Sequence, residues 1–323
     1  MRTSPFRISL VGLTAIIPGI LVAVVLFLAL YSWPAIRFNG LGFLIGKTWN
    51  LGNLYGNPVA VHGLEVPVGA NYGILVFVVG TLTTSAIALL IAVPISLGVA
   101  IFLAEGAPSR LRAPLSLIVD LLAVVPSVVY GLWGVTVLVP LIAHVVAPAL
   151  NDVLGFIPFF SGGSATGFGL LSSSLVLTLM VVPIITATIY SALQQVPSPD
   201  KEAAYALGAM KLEVAVRAML PAVRGSIVGA VILGLGRALG ETMAVLMVSG
   251  GAINYLPATI TSPISTMASF IVSQLDSAEQ DPTGMAVRSL AEIALVLFLI
   301  TVIVNTIARL ITRGLHVGIA SRG

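Results

Sequence analysis

Six apolar runs, near residues 8–33, 73–104, 115–143, 169–193, 225–250 and 289–313, are each long enough to cross a bilayer as a helix. A crossing needs about 20 helical residues, because backbone N–H and C=O groups find no water in hydrocarbon and must bond within the helix. Only 8% of the residues are charged and 58% are hydrophobic, against about 25% charged in soluble domains. An all-α integral membrane protein with six transmembrane helices is therefore expected. The first run follows Arg2 and Arg7, as a signal peptide would. Its length exceeds an ordinary h-region and no small-x-small cleavage site follows, so it reads as a retained span. The expected layout is a membrane helix and outer loop over 1–72, a transmembrane domain over 73–313 and a tail over 314–323.

An even number of spans places both termini on one side, and lysine and arginine mark the cytoplasmic side. Arg2, Arg7, Arg110, Arg112, Lys201, Lys211, Arg217, Arg224, Arg309, Arg313 and Arg322 share the side of the termini, eleven residues against Arg37, Lys47 and Arg288 opposite. Both termini, and the loop near 194–222, are therefore expected on the cytoplasmic side of the membrane that holds the chain. On the outside, 34–72 is rich in Asn, Gly and Pro and suits a compact loop. In 251–288, Ser262-Pro263 resembles a helix start, with Ile264, Met267, Ile271 and Leu275 following at helical spacing. Asp276, Glu279 and Asp281 follow as an acidic patch, either a solvated loop or a docking surface.

The 194–222 loop is a polar island. Ser198 is a candidate N-cap and Pro199 a first helical residue, with acids in the first turn. Glu202-Ala203-Ala204 then leads to Gly208, which supplies a bend, and to a second short helix over 209–219 ending before Leu220-Pro221. Leu212, Val216 and Met219 are expected on one face of that helix. Alone, the pattern is also compatible with an ordinary helix-turn-helix connection.

The fifth run contains Arg237 and Glu241 about halfway across. Each buried charge costs on the order of 2.5–3.5 kcal/mol on insertion scales. Four residues apart on a continuous helix, they share a face and are expected to pair. Such a pair is either structural or lines a pathway in which the guanidinium fork meets an oxyanion. Gly225 and Gly229, with Gly236 and Gly240, form two G-x-x-x-G pairs, which serve either a subunit interface or tight packing within the chain. Pro126 should kink the third run, its freed backbone groups being met by Ser127 or water. Asp120 and Glu292, near span ends, are expected to reach headgroups or solvent.

Other chemistry finds no support. Gly46-Lys47-Thr48 lacks the earlier glycine of a phosphate loop, Leu41 standing there, and Gly234-x-Gly236-x-x-x-Gly240 misses dinucleotide spacing by one residue. His62, His144 and His316 are too dispersed for a metal cluster, there is no cysteine, and no Ser-His-acid spacing suggests a hydrolase. Scattered basic residues give no nucleic-acid patch. No catalytic residue, metal ligand or cofactor site of the chain's own is expected.

Three segments carry a family resemblance: E-A-A-x-x-x-G with the later L-P, P-S-V-V-Y-G-L-W-G at 126–134, and G-R-A-L-G-E-T-M-A at 236–244. Together they resemble the PstC family of permease subunits of bacterial phosphate ABC importers, across nearly the whole chain. The resemblance implies a type I importer fold that works with a second permease resembling PstA, ATPase subunits resembling PstB and an extracytoplasmic phosphate-binding protein. ATP would be bound by the ATPase. Glu202, Ala203, Ala204, Gly208, Leu220 and Pro221 would form the ATPase-coupling segment, and Arg237 and Glu241 would line the substrate pathway. Permeases for sulfate or molybdate, and a stand-alone secondary carrier, are the competing functions; no persuasive internal repeat favours the carrier.

Overall fold

The computed structural model describes the backbone of residues 5–162 and 166–320 and the side chains of 12–162 and 166–310. Among the described residues, five single helices are long and apolar enough to cross a membrane, and a bent pair brings the number to six. The chain divides into two units, residues 1–75 with 271–300 and residues 76–270 with 301–323.

In the first unit, α1 (Pro5–Asn39) is the opening span. The Asn- and Gly-rich segment after it is folded. β1 (Trp49–Asn50) pairs antiparallel with β4 (Asn71–Tyr72), and β2 (Val59–Val61) pairs with β3 (Leu64–Val66). His62 and Gly63 join β2 to β3 with φ of 51° and 76°, the left-handed geometry that lets a two-residue turn follow strand twist. The Trp49 and Tyr72 rings meet edge-on at 4.9 Å, both buried.

Two acids of this unit depart from expectation. Glu292 is 5% exposed and accepts a hydrogen bond from Asn39 Nδ2 at 2.9 Å. A buried carboxylate without partners is costly, so it has recruited the amide at the end of α1 instead of solvent. Asp281 is likewise buried and leaves the supposed acidic patch. Its Oδ2 accepts from Ala286 N and its Oδ1 from Thr283 N and Oγ1, satisfying donors at the start of α11 (Met285–Ala320). Asp276 and Glu279 stay exposed.

The second unit is built around α5 (Leu170–Gln194), whose Leu177, Val181, Ile185, Ile189 and Leu193 form a buried stripe at four-residue spacing. Ala88 and Ala92 of α2 (Leu75–Gly106) and Ala230 and Ala238 of α8 (Arg224–Leu239) complete that core. Some of its hydroxyls bond to backbone, the partner that hydrocarbon leaves them, whereas Ser85 Oγ, Ser173 Oγ and Thr186 Oγ1 are buried without one. Thr178 Oγ1 donates to Ser174 O and to Ala88 O, and Ser96 Oγ to Val182 O at 3.1 Å. α10 (Met267–Ala278) begins later than Ser262-Pro263 suggested, because Thr266 is the cap: its Oγ1 accepts from Ser269 N at 3.3 Å.

The third run does not form one kinked helix. α3 (Ser109–Val124) stops, Val125 and Pro126 are extended, and the spanning helix is α4 (Ser127–Leu154). Proline disfavours a helical residue before it and supplies no N–H, so the two effects act at the same joint. The freed Leu122 carbonyl accepts from Tyr130 OH at 2.8 Å, a role expected of Ser127. Asp120 is exposed on α3.

Candidate functional site

The polar island folds as two short helices. α6 spans Ser198–Ala206, and α7 spans Lys211–Ala222 with a π-helical turn at Ala215–Met219. Pro197, not Ser198, stands at the cap of α6, and no side-chain cap bond forms. Gly208 ends the helix with φ of +84°. Its N–H donates to Tyr205 O at 2.9 Å and Ala209 N–H to Ala204 O at 3.2 Å, the pair of bonds that closes a helix over a left-handed residue. Lys201 Nζ lies 3.6 Å from Glu105 Oε1 and Tyr205 OH donates to Glu105 Oε2 at 3.2 Å, so α6 is tied to the π-helical end of α2. Desolvation, then the Glu105 charge and hydrogen bond, push the Tyr205 phenol above its ordinary range.

The face expected of α7 is only partly right. Met219 is buried, with Val214 and Ala215, whereas Leu212 and Val216 point outward because the π turn shifts the periodicity. With Leu207, 90% exposed, and Met210, 71% exposed, they form an uncovered apolar surface. Glu202, Ala203, Gly208 and Pro221 are exposed beside it; Ala204 and Leu220 are half-buried. At Val223 the chain turns by 77° into α8.

α8 has 16 residues, roughly 24 Å at 1.5 Å per residue, short of the 30 Å or so of a hydrocarbon core. It ends at Leu239, and α9 (Met243–Val248) begins after the non-helical link Gly240–Thr242. This break overturns the expected Arg237–Glu241 pair. Arg237 is exposed on the last turn of α8, and Glu241 instead accepts from Ala244 N at 3.2 Å, occupying the start of α9. The only ion pair among the described residues is Lys201–Glu105.

The glycine pattern resolves differently as well. The packed small residues of α8 are Ala230, Gly234 and Ala238, and a Cβ at Gly234 would stand 2.8 Å from Val181 Cγ1 and 2.9 Å from Ile185 Cδ1 of α5. Gly225, Gly229 and Gly240 are exposed within the chain. Gly131 and Gly134 of α4 seat α9: a Cβ at Gly131 would lie 3.0 Å from Ala244 Cα, and one at Gly134 2.9 Å from Val248 Cγ1. Tyr130 is within electrostatic reach of Arg237. The two membrane motifs thus meet at α9. Arg237 itself lines a cavity of about 450 Å³ with Ile184, Ile232, Leu233, Gly236, Asn305 and Arg309. Asn305 and Arg309 were not singled out by sequence, where Arg309 counted only as a basic residue near a span end.

Residues 96–317 match the family model for the binding-protein-dependent transport system inner membrane component. Over 312 residues, the chain is 48% identical to the phosphate transport system permease protein PstC 1 of Mycobacterium tuberculosis, covering 95% of this chain and 92% of that protein. It is 40% identical over 295 residues to PstC of Pasteurella multocida, covering 90% and 86%. An inward-facing MetNI methionine ABC transporter structure is similar at a TM-score of 0.50 and 18% identity, covering 74% of this chain and 95% of that one, and supports the fold.

Proposed function

The chain belongs to the family of binding-protein-dependent transport system inner membrane components, and from that membership we propose that it is the permease of a phosphate importer. It is a multi-pass membrane transport component with the helical architecture of type I ABC importer permeases. The observation that carries the substrate is the 48% identity, over nearly the full length, to proteins named as phosphate permeases. An arginine in a cavity within the helical unit is chemically suited to that substrate, since a guanidinium offers planar pairs of donors to phosphate-type oxygens.

In this reading the chain works with a second permease of the PstA type, PstB-type ATPases and an extracytoplasmic phosphate-binding protein in a bacterial inner membrane. ATP is bound and hydrolysed by the ATPase. The basic-residue distribution puts both termini and the α6–α7 segment in the cytoplasm. There, Leu207, Met210, Leu212 and Val216 offer the ATPase an apolar face, with Glu202, Ala203, Ala204, Gly208, Leu220 and Pro221 shaping it. Arg237 takes the passing anion. Glu241 fixes the start of α9 beside it and, being anionic, opposes retention there.

The test is phosphate uptake by the complete importer in proteoliposomes, with sulfate and molybdate as competitors. Arg237→Gln should abolish most uptake while the complex still assembles. Glu241→Gln, which retains a carbonyl acceptor for Ala244 N, should preserve α9 and alter turnover. Near-normal uptake by a well-assembled Arg237→Gln complex would remove Arg237 from the pathway, and preferential uptake of sulfate by wild type would overturn the substrate.

A further inference from the structure

A polar cavity of about 330 Å³ lies where α2, α3, α5 and α6 converge, and it shares no lining residue with the cavity of Arg237. Ala104 and Leu193 are its buried apolar part; Glu105, Arg112, Gln194 and Lys201 supply its polar groups. Two cations facing one carboxylate leave a positive charge uncompensated. Their donors are underused as well. Lys201 Nζ stands 3.6 Å from Glu105 Oε1, beyond hydrogen-bond length, so charge alone holds that pair. Arg112 takes part in no ion pair among the described residues. Its Nη2 donates to Ala107 O at 3.5 Å, a long and weak contact, and its Nε is buried with no hydrogen-bond partner.

A guanidinium carries five donors, and a donor sequestered from water without an acceptor is costly. The component this cavity lacks is therefore an anion, and the donors set its kind. A guanidinium edge presents parallel N–H groups that match two oxygens of one oxyanion, while a neighbouring ammonium adds charge without a directional demand. The position of the cavity gives occupancy a consequence. Glu105 holds α6 to the π-helical end of α2 through Lys201 and through Tyr205 OH, which donates to Oε2 at 3.2 Å. An anion seated between Arg112 and Lys201 competes with the Glu105 carboxylate for the same ammonium. Tyr205 is then the remaining tie.

We propose that this cavity binds a small, doubly charged oxyanion from the side assigned to the cytoplasm, held by Arg112 and Lys201, and that its occupancy draws Lys201 from Glu105 and loosens α6. The consequence for transport rests on the permease reading: once α6 is loosened, the apolar face at Leu207, Met210, Leu212 and Val216 loses its fixed position, and coupling slows as such an anion accumulates inside. The binding itself does not depend on that reading.

The test uses the purified complete importer with sulfate as the probe. Equilibrium dialysis against radiolabelled sulfate at fixed ionic strength should reveal a component of binding that Arg112→Gln weakens roughly tenfold or more, the scale of a lost hydrogen bond to a charged group. Glu105→Gln keeps an acceptor for Tyr205 OH and removes the competing charge, so it should bind sulfate roughly two- to fivefold more tightly. A merely structural latch gives no such gain. In proteoliposomes with the ATPase outward, and with binding protein and phosphate sealed inside, external sulfate should lower transport-linked ATP hydrolysis by wild type. The Glu105→Gln complex should respond at lower sulfate, and the Arg112→Gln complex should lose the response. Arg112→Lys, which keeps the charge without the paired edge, serves if the glutamine variant fails to assemble, and should also bind more weakly. Equal sulfate binding by wild type and the assembled Arg112 variant would overturn the proposal, as would a Glu105→Gln complex that binds no more tightly than wild type. Loss of the Arg112-dependent component in nanodiscs containing phosphatidylglycerol, but not in phosphatidylcholine alone, would assign the cavity to a lipid headgroup instead. The dialysis result decides the site whether or not the complex imports phosphate, whereas wild type that imports none sinks the permease reading alone.

Discussion

Gly208 provides a test in which conformation can be separated from size. Its φ is +84°, and no atom lies within 4 Å of an added Cβ. A substitution there meets no steric neighbour, and its cost comes from the backbone. An L-residue held in the left-handed region loses roughly 1–2 kcal/mol, with β-branched residues at the upper end because they are poorly tolerated there. The alternative is to abandon the two bonds made by Gly208 N–H and Ala209 N–H, each worth about 1 kcal/mol net. Either route lowers the population of the closed turn by a factor of about 5–30. Gly208→Val should therefore depress phosphate uptake and the binding-protein-stimulated ATPase rate together, while size-exclusion behaviour and helix content remain those of wild type. Gly208→Asn is of comparable bulk but tolerates positive φ, and should retain most coupling. Equal loss in both variants would show that exposure to the ATPase, not backbone geometry, is limiting; full activity in both would remove the turn from coupling altogether.

Three further outcomes follow from other parts of the structure. Gly131→Val should lower the melting temperature of the purified complex, since its Cβ meets Met247 Sδ at 2.8 Å and Ala244 Cα at 3.0 Å and overpacking costs typically 1–3 kcal/mol; an unchanged melting profile would contradict the α4–α9 contact. A Cβ added at Gly229 meets nothing within 4 Å in this chain, so Gly229→Leu should leave the isolated subunit's stability intact while reducing co-purification of the second permease; unchanged co-purification would assign that face of α8 to lipid. A cysteine replacing exposed Ser198 should react with an impermeant thiol reagent only after the cytoplasmic side is opened, and labelling of intact cells would reverse the orientation drawn from basic residues.

What was legible in the sequence was largely set by hydrophobic burial. The spans at 73–104 and 169–193 appear within a few residues of their observed limits, because one physical demand, satisfying backbone in hydrocarbon, fixes both length and composition. Breaks inside apolar sequence were harder to read. Arg237, Leu239 and Gly240 already form a helix-stop pattern, a basic last turn followed by glycine, yet hydropathy continues unbroken through Met243–Val248 and masks it. Pairing Arg237 with Glu241 assumed a helical register that this stop destroys. Pro126 was visible, but whether proline kinks or ends a helix depends on a donor elsewhere for the freed carbonyl, here the Tyr130 hydroxyl, which donates to Leu122 O. Asn305 carried no local signal at all, since only the folded chain brings it to the cavity that Arg237 lines.

If the α6–α7 segment couples to an ATPase as proposed, the break after α8 relates it mechanically to Arg237. Arg224 and Arg237 are the two ends of the same helix, about 20 Å apart by its rise. The first follows the 77° turn out of α7 and the second faces the cavity. Between them, α8 packs on α5 through Ala230, Gly234 and Ala238, small residues that give its own face little relief, with Val181 and Ile185 of α5 seated against Gly234. A helix packed in this way has low ridges to cross when it slides, and small sliding movements of packed helices are an established mode of conformational change. The non-helical link Gly240–Thr242 then takes up the displacement, while Gly131 and Gly134 keep α9 seated on α4. Force applied at α7 would thus move Arg237 relative to Glu241, which a continuous helix, with both charges on one rigid face, would forbid.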